Sequence, residues 1–222
     1  MTEVLFWTAR LEGTPDLALL SDDERARVAR FVRPVDARRA ALARVSLRRL
    51  LGRLLGTRPE QVRLRLGSQG KPALLDNVLH FNLSHSEDRL LIAVCADDEL
   101  GCDLERLRPQ PDLDELARTA FSPAERAAWL ALPPDQRLEG FFRVWTCKEA
   151  LLKALGEGLL HPLHAFDVSV TGPPRLLRWE GHDAQAWSLA VDQPEVDTRA
   201  AFAMRRPFLL RRGDPALLVS EA

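Results

Sequence analysis

Helical and extended patterns follow one another twice along this chain in the same order, and that repeat limits its fold more than any single motif does. Glu3 to Arg10 reads as a strand. Ser21-Asp22-Asp23-Glu24 then supplies an N-cap and an acidic first turn for a helix running to about Phe31, broken at Pro34. From about Asp36 to Leu55, apolar Ala37, Ala41, Val45, Leu50, Leu51, Leu54 and Leu55 predict a long amphipathic helix that stops at Gly56 and carries arginines on its other face. Strand-like pieces follow at Val62 to Leu66, Val78 to Phe81, Leu90 to Ala96 and Leu100 to Glu105. Arg106 to Asp112, with Pro109 and Pro111, reads as a linker. The order then returns, with helices at about Leu113 to Ala120, Pro123 to Leu132 and Leu138 to Leu155. Strands follow at Phe166 to Val170, Leu176 to Trp179, Ala186 to Val191 and Ala200 to Met204. The expectation is an α+β fold of two similar lobes, 1–105 and 113–211, related by a pseudo-twofold axis and joined by 106–112. Each lobe packs helices on a small, mainly antiparallel sheet, the active-site cleft lies between them, and 212–222 form a flexible tail.

The 222 residues can bury a core in one large domain or two small lobes. Lys plus Arg number 31 against 32 Asp plus Glu, so no global positive field points to nucleic acid, and anion binding has to be local. The opening MTEVLFWTARLEG has no signal-peptide pattern and no stretch approaches a membrane span, so the expected location is the cytoplasm with no membrane partner. Cys95, Cys102 and Cys147 lack metal-ligand spacing and read as reduced core thiols. Of the 31 basic side chains only Lys71, Lys148 and Lys153 are lysines. In a chain that otherwise uses arginine, these three are candidates for sites that need a compact ammonium on a flexible stem.

Four constellations could carry chemistry. In Gly101-Cys102-Asp103-Leu104-Glu105, strand alternation puts Asp103 and Glu105 on one face, a pair suited to Mg2+; a wet acidic strand face is the plainer alternative. In Phe141 to Lys153, a single helix would align Glu149 with Leu138, Phe142, Trp145 and Leu152, so that a carboxylate interrupts an apolar stripe and wants a cation. The alternative is a fresh helix start with Thr146 as cap and Glu149 to Lys153 as an ordinary i,i+4 pair. Gly70-Lys71-Pro72 and Phe81-Asn82-Leu83-Ser84-His85-Ser86 put a lysine on a stiff turn and a hydroxyl and imidazole after a strand end, where they can meet a phosphate. Arg27, Arg30, Arg33, Arg38 and Arg39 crowd the first helix junction, as a solvated face also would. Glu125, behind Ser122 and Pro123, reads as a capping-box acid.

Taken together, Gly70 to Pro72, Phe81 to Ser86, Gly101 to Glu105 and Trp145 to Lys153 resemble the 4′-phosphopantetheinyl transferases of the larger, surfactin-synthetase-activating type, over about residues 20 to 170. The resemblance implies two α+β lobes with coenzyme A in their cleft, and transfer of its phosphopantetheine arm to a serine of an apo acyl or peptidyl carrier protein, with release of 3′,5′-ADP. It implies Asp103, Glu105 and Glu149 as ligands of Mg2+ against the pyrophosphate. Lys71, with Pro72 beside it, Ser84 and His85 match contacts to the coenzyme's phosphates and adenosine. Lys148 and Lys153 match the lysines of a Lys-Glu-x-x-x-Lys motif, and Arg39 and Arg27 match basic residues near the 3′-phosphate. Glu149 as proton acceptor and Lys153 as support for the leaving group are the catalytic expectations. Two lobes in one chain form the cleft unaided, so a monomer is expected.

Overall fold

β1 (Thr2–Arg10) buries both of its faces: Val4 and Phe6 turn to one side, Leu5, Trp7 and Ala9 to the other. A strand covered on both sides belongs inside a layered structure. In the computed structural model, which describes residues 1–67, 69–156 and 161–218, β1 pairs antiparallel with β5 (Arg89–Cys95), and β5 with β4 (His80–Ser86). Every residue of β5 is buried. Its Leu90, Ile92 and Val94 meet the long helix α2 (Pro34–Leu55), while Leu91, Ala93 and Cys95 meet a second sheet. That sheet is antiparallel, in the order β6 (Leu100–Arg106), β10 (Thr198–Met204), β9 (Ser188–Asp192). Leu100, Cys102, Leu104, Ala200, Phe202 and Met204 face the first sheet. On the far side Ala201 and Ala203 join the core around helix α5 (Arg137–Leu155). The architecture is thus α+β: helix, sheet, sheet, helix, each sheet backed by one long helix.

Local chemistry explains the boundaries. α1 (Asp22–Val28) starts on a Ser21/Glu24 capping box and ends short of Phe31. Pro34, expected to break that helix, instead opens α2 at a first-turn position, where its missing N–H costs nothing. α2 ends at Gly56 in the left-handed region, φ 63°. α3 (Leu113–Ala120) and α4 (Pro123–Leu130) precede α5, which runs unbroken through Thr146. The Thr146 hydroxyl donates to the carbonyls of Phe142 (2.8 Å) and Arg143 (3.2 Å), so it is an interior residue and not a cap. Two short hairpins complete the molecule: β2 (Leu64–Leu66) with β3 (Pro72–Leu74), and β7 (Phe166–Val168) with β8 (Leu176–Trp179).

Two close approaches bring β6 against α5 on one side and β4 on the other. A Cβ at Gly101 would lie 2.0 Å from the Ala150 oxygen and 2.3 Å from the Ala154 nitrogen, so only glycine lets β6 lie this near the backbone of α5. The second is a seam between the sheets, where β4 and β6 run side by side joined by side chains. Asn82 Oδ1 accepts from the Cys102 N–H (2.9 Å), Ser84 Oγ donates to Asp103 Oδ1 (2.8 Å), and Ser86 Oγ donates to Glu105 Oε2 (2.7 Å).

Three expectations need correction. Ser84 and His85 do not follow a strand end; they lie within β4, which continues to Ser86 opposite Arg89. An unforeseen strand, β11 (Phe208–Arg212), pairs parallel with β1. The segment after it does not fray where it is described. The Trp7 indole N–H donates to the Asp214 carbonyl (2.9 Å), Arg53 donates to that of Leu217 (2.6 Å), and Leu217 and Leu218 pack on the α2 core. The last part of the expected tail, 219–222, lies outside the described residues. Among the described residues no helix is long and apolar enough to cross a membrane. All three cysteines are free and buried, and burial pushes the Cys102 and Cys147 thiols up to about 12.

Candidate functional site

β6 alternates, and with Leu104 and Cys102 committed to the core between the sheets, Asp103 and Glu105 turn toward α5. There Lys153 Nζ meets Asp103 Oδ1 at 2.6 Å and the Ser84 hydroxyl at 3.0 Å. The second carboxylate oxygen of Asp103, Oδ2, is buried and has no hydrogen-bond partner. Glu105 is held by Ser86 and by a hydrogen bond from Trp145; burial and the Asp103 charge push its carboxyl up to about 7. Burial, then Asp103, also raises Glu149 above the usual carboxylate range, against the pull of Lys153. For Lys153 burial works to lower the pKa, but the charge and hydrogen bond of Asp103 outweigh it and keep the ammonium charged.

Of these groups, Lys153 and Glu149 border a cleft of about 280 Å³. Its walls are the β2–β3 hairpin with Gly70, Lys71 and Pro72, β4 with Asn82, and α5 with Glu149 and Lys153. Lys71 is not free: its ammonium is 2.6 Å from Glu99 Oε2 and 3.0 Å from the Leu100 carbonyl. His85 is exposed on β4, yet desolvation of its ring, then the charges of Lys153 and Arg39, hold its imidazole below the ordinary value. Arg39 has a buried Nε without a hydrogen-bond partner. Arg27 stands where a Cβ on Gly70 would be 3.8 Å from its Nη1, and it also lines a groove of about 1050 Å³ on the outer N-terminal half. That larger groove contains none of the three acids.

Lys148, the other lysine of the Lys-Glu-x-x-x-Lys motif, lies away from the cleft. Its side chain is 0% exposed, its ammonium pairs with Glu125 (2.7 Å), and it donates to the carbonyls of Leu163 (2.6 Å) and Phe166 (2.5 Å) inside the C-terminal core. Glu125 keeps its capping-box role, accepting from Ser122 N, and its other oxygen accepts from Val168 N. Among the described residues no group of three or more His, Cys, Asp or Glu is gathered as a preformed metal cage, and the cation that meets Asp103 is Lys153. Sequence reasoning passed over Asn82, Ser86, Glu99, Trp145 and the close-approach role of Gly101. The first two were visible as the polar phase of an alternating Asn-Leu-Ser-His-Ser run.

A lysine kept charged and acids with raised pKa values beside one cleft form a cluster of perturbed groups of the kind that marks a catalytic site. Residues 99–204 match the model of the 4′-phosphopantetheinyl transferase superfamily, and residues 8–97 that of the 4′-phosphopantetheinyl transferase N-terminal region. The chain is 42% identical over 193 residues to the 4′-phosphopantetheinyl transferase HetI of Nostoc sp. PCC 7120, covering 84% of this chain and 79% of HetI. It is 31% identical over 153 residues to the 4′-phosphopantetheinyl transferase Sfp of Bacillus subtilis strain 168, covering 68% of this chain and 67% of Sfp. Among solved structures, the Thermotoga maritima holo-[acyl-carrier-protein] synthase matches at TM-score 0.38 and 20% identity, over 47% of this chain and 61% of that one. The chain belongs to the 4′-phosphopantetheinyl transferase family, in its larger, Sfp-like form.

Proposed function

We propose that this enzyme transfers the 4′-phosphopantetheine arm of coenzyme A to a serine of an apo acyl or peptidyl carrier protein and releases 3′,5′-ADP, working as a cytoplasmic monomer. The observation that carries the reading is that Lys153, which lines the cleft with Glu149 of the same helix, meets Asp103 and Ser84. The carrier serine Oγ attacks the β-phosphorus, and the bond from that phosphorus to the bridging pyrophosphate oxygen breaks. Glu149, directly or through a water that it orients, accepts the serine proton. Lys153 stays charged and supports the oxygen that leaves with 3′,5′-ADP. Arg39 and Arg27 would receive the 3′-phosphate side, and Lys71 with Pro72, Ser84 and His85 the coenzyme's other phosphates and adenosine.

Mg2+ fits these residues. The buried, partnerless Asp103 Oδ2 is a hard oxygen in want of a cation, and two of the acids share one strand face. Asp103, Glu105 and Glu149 would hold the ion, which would supply neutralisation of the pyrophosphate charge. The test is a panel of apo carrier proteins incubated with enzyme, Mg2+ and coenzyme A and read by mass. A phosphopantetheine mass gain on one serine, matched by 3′,5′-ADP, is expected; its absence across the panel defeats the reading.

A further inference from the structure

The cleft wall with Lys71 at its tip is a short hairpin whose base is anchored in the α2 core by Leu64 and Leu74. β2 and β3 contribute three residues each, and an isolated two-stranded hairpin has little stability of its own. Its tip is turned by Gly70, φ 78°, whose N–H donates to the Gly67 carbonyl (2.9 Å), while Gly67 N–H donates to the Lys71 carbonyl (2.8 Å). Those bonds stay inside the hairpin. Among the described residues, the polar ties from the tip to the body of the molecule are those of the Lys71 ammonium, to Glu99 Oε2 (2.6 Å) and to the Leu100 carbonyl (3.0 Å).

Glu99 is a firm anchor. It sits on the turn between β5 and β6, and its N–H donates to Asp98 Oδ1 (2.9 Å). Asp98 is fixed in turn by Arg206 at 2.8 Å, from the turn between β10 and β11. The other Glu99 oxygen, Oε1, lies within hydrogen-bond distance of His80 Nδ1 (3.2 Å). Burial works to raise the Glu99 carboxyl, but the hydrogen bonds and charges of Lys71 and His80 outweigh it and keep Glu99 ionised. An ammonium has three donors, and Glu99 and Leu100 use two of those of Lys71.

We propose that Glu99 is a positioning residue for donor binding: it fixes the Lys71 ammonium, and with it the Gly70 to Pro72 wall, so that the remaining N–H meets a substrate phosphate without first being ordered. This rests on the reading that coenzyme A is the donor. A side chain already held in place loses less freedom when the ligand arrives, and affinity rises by that saving.

The test compares wild type, Glu99→Gln, Lys71→Ala and the double variant by calorimetric titration with coenzyme A and by carrier-modification kinetics. Glu99→Gln is expected to weaken coenzyme A binding and raise its KM by roughly fivefold, the upper range for a partly exposed pair. Its kcat and its KM for the carrier should stay unchanged. In the Lys71→Ala background the same change should have no further effect, because Glu99 acts through Lys71. If Glu99→Gln tightens coenzyme A binding, Glu99 is a competitor that the phosphate must displace, and the proposal is overturned. Equal effects in both backgrounds also overturn it. Should wild type itself bind no coenzyme A, the donor assignment fails, whereas wild-type binding with an unaffected Glu99→Gln defeats the positioning role alone.

Discussion

Lys148 and Lys153 lie five residues apart on α5, each beside a buried carboxylate, yet they do opposite things. Around Lys148 every oxygen and proton is matched: Glu125 and two carbonyls surround the ammonium, and Ser122 N and Val168 N complete the carboxylate. Around Lys153 the set is incomplete. Asp103 has a bare oxygen, Lys153 is 29% exposed, and a cleft adjoins them. A closed buried pair fixes a fold, because removing either partner strands a charge. An open pair beside a cavity has interactions left to give to a substrate.

The comparison can be broken most forcefully at its closed end. Lys148→Met should destabilise the protein by about 3–5 kcal/mol, through the stranded Glu125 charge, and Glu125→Gln added to it should recover part of the loss. Denaturant unfolding measures both; a loss under about 1 kcal/mol for Lys148→Met would mean that the pair is not what holds α4, α5 and β7 together. At the open end the prediction inverts. Glu149→Gln should slow transfer by about 10²- to 10⁴-fold, the usual contribution of a positioned general base, and leave the melting temperature nearly unchanged. Near-normal turnover would remove Glu149 from the chemistry.

Two smaller effects sharpen the contrast. Gly101→Ala should cost about 1–3 kcal/mol of stability by overpacking β6 against α5, and should depress transfer further than its melting temperature explains, since it shifts Asp103 away from Lys153. Circular dichroism melts set beside carrier-modification rates decide that. The smallest effect is a pH slope at His85. Its folded pKa lies below the unfolded value of about 6.5, so the folded state binds fewer protons. The associated stability is complete above pH about 6.5 and falls away as the pH drops through that value toward the folded pKa. Melting temperatures of wild type and His85→Gln between pH 7.5 and about 5 should diverge, with the wild type losing more.

Much of this molecule could be read before its coordinates. The helices at Leu113 to Ala120 and at the end of α5, and the strand Leu176 to Trp179, lie where periodicity and caps put them. Strand alternation alone was enough to turn Asp103 and Glu105 to one face. What escaped reading depended on contacts distant in sequence. Lys148 and Lys153 look alike within Lys-Glu-Ala-Leu-Leu-Lys, and what separates them is Glu125, which in sequence shows only its capping oxygen. Glu99 looks like one more acid in a polar turn until the hairpin carrying Lys71 is folded onto it. β11 is short, half polar and parallel to a strand at the other end of the chain, so no local pattern reveals its partner.

That last pairing bears on how the protein is made. Thr2 is in register with Phe208, and β1 lies between β5 and β11. On a ribosome β1 emerges early, finds β5 once about a hundred residues have followed, and then keeps one bare edge until the far end of the chain arrives. About 110 residues separate β5 from β11, so at ordinary elongation rates of roughly 5–20 residues per second that edge waits on the order of five to twenty-five seconds. For that interval the nascent chain exposes an apolar, unpaired strand, the kind of surface that invites a wrong partner. Among the described strands, the one made latest is therefore the one that covers the open edge of the earliest.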